Sequence, residues 1–232
     1  MNEPNSDAAI NGDLSERVVV DTATLAWTPS PSRTVWRKRL HRVGPAESGQ
    51  VTALVRYDAG AKFPVHDHQE GEEIFVLDGI FSDEHGDWPA GTWLLNPEGF
   101  RHAPFSRDGC LLFVKLRQAA GDARQHVELQ TAQASWCASE FEGIERKQLA
   151  AEAEFADSTW LERWSPGAST GERTLIGGVE IFVLKGSFSD EFGEYGEGTW
   201  LRLPVNSSHR PISRDGCLLY VKYDGLGDLR SG

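Results

Sequence analysis

A chain of 232 residues is long enough for two domains of roughly 100 residues, each with its own core. Its 39% hydrophobic and 25% charged residues exclude wholesale disorder, and no apolar run approaches the ~18 residues of a membrane span. A net charge of −12, with no basic stripe, repels a phosphate backbone, so neither nucleic acid nor membrane is an expected partner.

In chain order, residues 1–17, MNEPNSDAAINGDLSER, are polar and lack a basic start followed by an apolar stretch. They read as a flexible tail on a cytoplasmic protein. From 18 to 120, short apolar runs (TALVRY, EIFVL, GTWLLNP, CLLFVKL) alternate with Gly, Pro, Asp and Asn. β-Branched and aromatic residues without a 3.6-residue period predict the strands of a sandwich or barrel. Helix is expected only around the linker, from Gly121 to about Gln130. AAEAEFA near Ala150 has helical composition, yet its place in the repeat predicts strand or loop.

Residues 121–232 repeat what precedes them. EIFVLDGIFSDEHGDWPAGTWL from Glu73 returns as EIFVLKGSFSDEFGEYGEGTWL from Glu180, and SRDGCLLFVK from Ser106 as SRDGCLLYVK from Ser213, at a constant offset of 107 residues. TATLAW ending at Trp27 resembles TAQASW ending at Trp136, and Arg37-Lys38 resembles Arg146-Lys147 with a two-residue slip. A repeat of this length predicts two copies of one unit, 18–120 and 121–232.

The first copy carries Gly60, then His66-Asp67-His68, Glu72 and Gly79, followed by Gly91, Pro97, Gly99 and His102. These residues resemble both signature motifs of the cupin superfamily, with Ser106 in place of a terminal Asn. The block around GEEIFVLDGIFSDEHGDWPAGTWLLNP resembles the ChrR-type cupin domain, known as the regulatory half of an anti-sigma factor and in free-standing proteins. The resemblance covers nearly the whole chain. It implies an all-β fold: two tandem cupin (jelly-roll) barrels forming an intramolecular pseudo-dimer, with higher oligomers compatible.

It also implies a metal on His66, His68, Glu72 and His102. Residues two apart on a strand share a face, so both early histidines can point into a barrel, and His102 arrives from a later strand. Three imidazoles and a carboxylate suit Zn, Fe, Mn or Ni and not Ca or Mg. One divalent metal per chain follows, because the second copy has Arg173, Leu175 and Val179 at the places of His66, His68 and Glu72 and keeps only His209 for His102. Glu73 recurs as Glu180 in that degenerate copy, so its expected role is structural or ligand-orienting. Arg173 reads either as a cation snorkelling to solvent or as a seat for a carboxylate.

His85 sits in a turn where the second copy has Phe192, and His41 and His126 have no motif around them. The three cysteines, Cys110, Cys137 and Cys217, lack a C-x-x-C and read as free thiols; Cys110 and Cys217 open equivalent strands and read as small buried residues. The recurring Trp93 and Trp200 read as core.

Three roles follow from the resemblance: an Fe(II)-dependent oxygenase acting on a small ketone or diketone, a non-catalytic zinc-binding sensor, and a structural pseudo-dimer stiffened by its metal. A small-molecule ligand is the expected partner. A direct anti-sigma role lacks its H-x-x-x-C-x-x-C motif, since no cysteine precedes Cys110. No acid or base beyond the ligands is legible.

Overall fold

The alternating apolar runs form strands throughout the computed structural model, which describes residues 8–121 and 123–232. Among the described residues the only helices are two short 3-10 turns, Thr22–Thr24 and Gly225–Asp228. The expected linker helix is instead the strand Val127–Gln130, and the chain after Ala150 is loop until Ser158. Alternating burial along Val127–Gln130 shows why: one face is covered by a sheet, which a two-residue period serves better than a helix. No helix among the described residues is long and apolar enough to cross a membrane.

Two eight-stranded antiparallel sheets share one strand order. In the first, Val127–Gln130, Thr92–Asn96, Glu72–Ser82, Cys110–Leu116, Gln50–Tyr57, Val35–Val43 and Thr28–Pro29 lie side by side, with Asp87–Pro89 paired to Glu72–Ser82. In the second the order is Val18–Asp21, Thr199–Leu203, Val179–Asp190, Cys217–Tyr223, Ser158–Trp164, Ile144–Ala150 and Cys137–Ala138, with Gly193–Gly196 paired to Val179–Asp190. The two form the tandem jelly-rolls that the repeat predicts.

The sheets do not follow the repeat boundary at 120/121. Val18–Asp21 pairs with Thr199–Leu203, and Val127–Gln130 pairs with Thr92–Asn96. One compact unit therefore contains Leu25–Gln133 with residues 8–13 and Asp228–Gly232, and the other contains Leu14–Thr24 with Ala134–Gly227. The first seven residues of the expected tail lie outside the described residues. From residue 8 onward the tail is engaged: Ile10 bridges to Arg42, and Arg17 reaches Asp190 at 2.7 Å.

The first core gathers Val35, Ile74, Val76, Phe81, Trp88 and Leu112, and the second gathers Ile144, Val183, Phe188, Tyr195, Leu201 and Leu219. A bulge kinks the strand pair at Leu111/Leu112 and recurs at Val183/Lys185. Beside these bulges Gly79 and Gly186 hold φ +73 and +72, and an added Cβ would meet Gly109 O at 2.2 Å or Gly216 O at 2.3 Å. Only glycine fits there, which explains its recurrence at both places.

Candidate metal centre

His66–Asp67 pairs antiparallel with Arg101–His102, placing His66 directly opposite His102. His68 follows one residue beyond the strand and is anchored by its backbone N–H donating to Phe100 O at 3.0 Å. One nitrogen from each of His66, His68 and His102 lies within 4.8 Å of the others. His68 Nε2 and His102 Nε2 are 2.9 Å apart, and Glu72 Oε2 lies 3.2 Å from the first and 3.7 Å from the second. The structure thus brings the three histidine nitrogens together and places Glu72 beside two of them.

Groups behind the ring fix which nitrogen faces inward. His66 Nδ1 donates to Pro64 O at 2.8 Å and His102 Nδ1 to Asp83 Oδ2 at 2.9 Å, since neither a carbonyl nor a carboxylate can donate. In the neutral form each of these two rings then carries its lone pair on Nε2. Glu72 is oriented from the far side by Asn96 Nδ2, 2.9 Å from Oε2. Burial lowers the His68 pKa, with Glu72 opposing. Burial acts the same way on His102, but its bond to Asp83 and the charges of Glu72 and Asp83 win and raise it. Imidazole nitrogens and a carboxylate converging this closely form a donor set suited to a divalent cation.

The cluster opens onto a cavity of about 670 Å³. Apolar residues including Val51, Val55, Tyr57, Ile74 and Leu112 line it, together with Arg37 and Arg39.

The equivalent place in the second unit is built otherwise. Arg173 pairs with His209 in the register of His66 and His102, but its Nη1 donates to the Tyr223 hydroxyl at 2.9 Å and its guanidinium lies 5.3 Å from the Phe141 ring centre. Arg173 is therefore neither snorkelling free nor offering an open seat. Glu162 accepts from Arg146 Nε at 2.8 Å, Tyr223 Oη at 2.8 Å and Trp164 Nε1 at 3.0 Å. About 20 Å³ of cavity remains among these residues. His209 Nδ1 faces Asp190 Oδ2 at 3.3 Å, while Arg17 and the Tyr195 hydroxyl each approach Asp190 at 2.7 Å.

Other sequence readings resolve plainly. Glu73 is buried and accepts Trp93 Nε1 at 3.0 Å, away from the histidine nitrogens. Ser106 and Ser213 each donate to a backbone carbonyl at 2.6 Å, of Ile80 and Ser187, so the Ser at the motif's end staples the strand in both units. Burial pushes the Cys110 and Cys217 thiols up to about 11, as core residues. His85 is exposed in its turn, His41 is buried against Asn11 O at 3.0 Å, and His126 stacks on Phe100. Asp83, Asn96, Arg37 and Arg39 were not singled out from the sequence. For Asp83 a signal existed: it recurs as Asp190, the same distance before the surviving histidine.

The description "ChrR cupin-like domain" matches residues 15–120 and again 124–226. A comparison with curated proteins finds no match. Among solved structures, a Nostoc punctiforme protein provisionally named a dioxygenase superposes with a TM-score of 0.77 at 17% identity, over 94% of this chain and 84% of that one. Ylba from Escherichia coli gives 0.69 at 14%, over 92% and 93%. The bacterial pirin YhhW from Escherichia coli, in complex with nickel(II), gives 0.68 at 11%, over 90% and 98%. At these identities the likeness is one of fold.

Proposed function

This chain belongs to the ChrR cupin-like family in both its halves, and from that premise we propose that its N-terminal unit holds one divalent transition metal on His66, His68, Glu72 and His102 and presents it to a small molecule in the adjoining cavity. The observation that carries the reading is the 2.9 Å approach of two imidazole Nε2 atoms beside the Glu72 carboxylate, at one end of an apolar cavity. Iron, zinc, manganese and nickel all suit three imidazoles and a carboxylate.

The reaction we propose is oxygen-dependent cleavage of a small ketone or diketone. Bound iron would supply Lewis acidity and electron transfer to such a reaction. The chain's own residues do the rest. Asp83 and Pro64 hold two rings in the tautomer that leaves Nε2 free, Asn96 holds Glu72, and the apolar wall excludes water from the bound molecule. The provisional dioxygenase name of the Nostoc neighbour and the nickel of the pirin point the same way.

Elemental analysis of protein purified without added metal is expected to give one transition metal per chain. Protein reconstituted anaerobically with Fe(II) is expected to consume oxygen with at least one member of a ketone and diketone panel. Zinc-loaded protein should keep its fold and consume none, because zinc has no redox chemistry. Metal at one per chain with no oxygen uptake across the panel overturns the oxygenase reading in favour of a zinc-binding sensor.

A further inference from the structure

Two guanidiniums on the cavity wall of the N-terminal unit share a single carboxylate. Val35, Arg37 and Arg39, alternate residues of one strand, line the cavity. Both guanidiniums lean on one carboxylate: Glu47 lies 2.9 Å from Arg37 and 3.4 Å from Arg39, and its own side chain is 53% exposed. Arg39 is only 14% exposed, and its Nε is buried with no hydrogen-bond partner. Burial and the charge of Arg37 lower its pKa, with Glu47 opposing.

The C-terminal unit shows what such an arginine takes when a partner is built in. Arg37 lies across the sheet from Val55, and its counterpart Arg146 lies across from Glu162. Glu162 carries the bonds from Arg146, Tyr223 and Trp164 that close that interior to about 20 Å³. In the first unit Val55, Leu116 and Tyr57 stand at those three places, and about 670 Å³ is open. The arginine is kept, the carboxylate across the sheet from it is replaced by Val55, and the space that carboxylate would fill is left.

We propose that this space takes a small oxo acid, its carboxylate seated against Arg37 and Arg39 as Glu162 is seated against Arg146, and its carbonyl end directed at His66, His68 and His102. The inference rests on the proposed reading of the cavity as a small-molecule site and adds the class of molecule. The dimensions agree. The strands Gln50–Tyr57 and Cys110–Leu116 separate the strand of Arg39 from that of Glu72. The backbones are therefore three strand spacings, roughly 14 Å, apart. Side chains reaching inward from both leave a gap for a few carbon atoms.

The test is calorimetric titration of metal-free and zinc-loaded protein with 2-oxopentanoate, 4-oxopentanoate and benzoate, each against its carboxamide. At least one acid is expected to bind roughly 10- to 100-fold more tightly than its amide, the value of a charge-assisted bond. Arg39→Met should abolish that preference. Val55→Glu should abolish acid binding outright by supplying the carboxylate internally, and both variants should keep the wild-type metal content. If Val55→Glu fails to fold by circular dichroism, the Arg37→Met/Arg39→Met double variant takes its place, with the same expected loss. Acids that bind no more tightly than their amides, or a preference that survives loss of both arginines, overturn the proposal. Protein that purifies without metal yet keeps the preference sinks the metal reading and leaves the acid site standing.

Discussion

In one unit Asp83 hydrogen-bonds His102, Ser106 staples Ile80, and Gly79 turns the bulged strand; in the other Asp190, His209, Ser213, Ser187 and Gly186 repeat each contact. What differs is the lining of the interior. His66, His68, Glu72, Val55 and Leu116 face a cavity in the first, whereas Arg173, Leu175, Val179, Glu162 and Tyr223 close the second. The Asp–His contact therefore does not require a complete donor set, and the barrel stands whether its middle is a polar plug or a cavity. The same pair also titrates oppositely. Burial acts downward on both rings, but His102 gains from Asp83 and Glu72, while His209 faces an aspartate shared with Arg17 and has Val179 where Glu72 would be.

The comparison breaks most decisively at the metal. His66→Ala or Glu72→Ala is expected to reduce bound metal from one per chain to near zero by elemental analysis, while His209→Ala leaves the count unchanged. Two metals per chain would erase the distinction between the units. Next in size is Glu162→Val, which gives the second unit the residue of the first. It leaves Arg146 only the exposed Glu140 and removes the acceptor of Tyr223 and Trp164, so denaturant unfolding should show a loss of about 3–5 kcal/mol. A loss below 1 kcal/mol would mean that the plug is not what holds that interior.

Asp83→Asn is milder. It leaves the four proposed ligands in place and weakens the hold on His102, so metal affinity should fall roughly 10- to 100-fold, while Asp190→Asn changes nothing in metal binding. The smallest effect concerns pH. His209 is held below its ordinary 6.5 chiefly by burial and so is neutral in the fold. Its contribution to stability is complete above pH 6.5 and is lost as pH falls from there through the lower folded value. Melting curves of His209→Asn should accordingly drop less between pH 7.5 and pH 5 than those of the wild type; an equal drop would assign the acid sensitivity elsewhere.

Much of this was legible before any fold was known, for a physical reason. The histidine spacing and the Gly-rich turns are local constraints, so the clustering of His66, His68 and His102, with Glu72 beside two of them, could be expected from one stretch and compared with its repeat. Glu162 and Val55 could not, because which face of a plain apolar strand turns inward is set by register across the sheet. Arg37 and Arg39 sit in a run of basic residues that alone reads as solvated surface. The strand Val127–Gln130 was hidden in a polar linker, since only one of its faces is covered.

The exchange of strands between the sequence halves bears on how the molecule is made. Val19 pairs with Leu201, so the edge of Thr199–Leu203 is closed by a strand about 180 residues earlier in the sequence. At equilibrium the long closure costs little, because each doubling of loop length adds only about 0.6 kcal/mol. Kinetically it sets an order. The sheet containing the histidine cluster can be completed once Val127–Gln130 has left the ribosome, whereas the second sheet waits for nearly the whole chain. A nascent chain arrested between those points would carry the assembled histidine cluster and an unpaired Val18–Asp21 strand, and a molecule lacking Val18–Asp21 would expose the Thr199–Leu203 edge to strand addition by another chain.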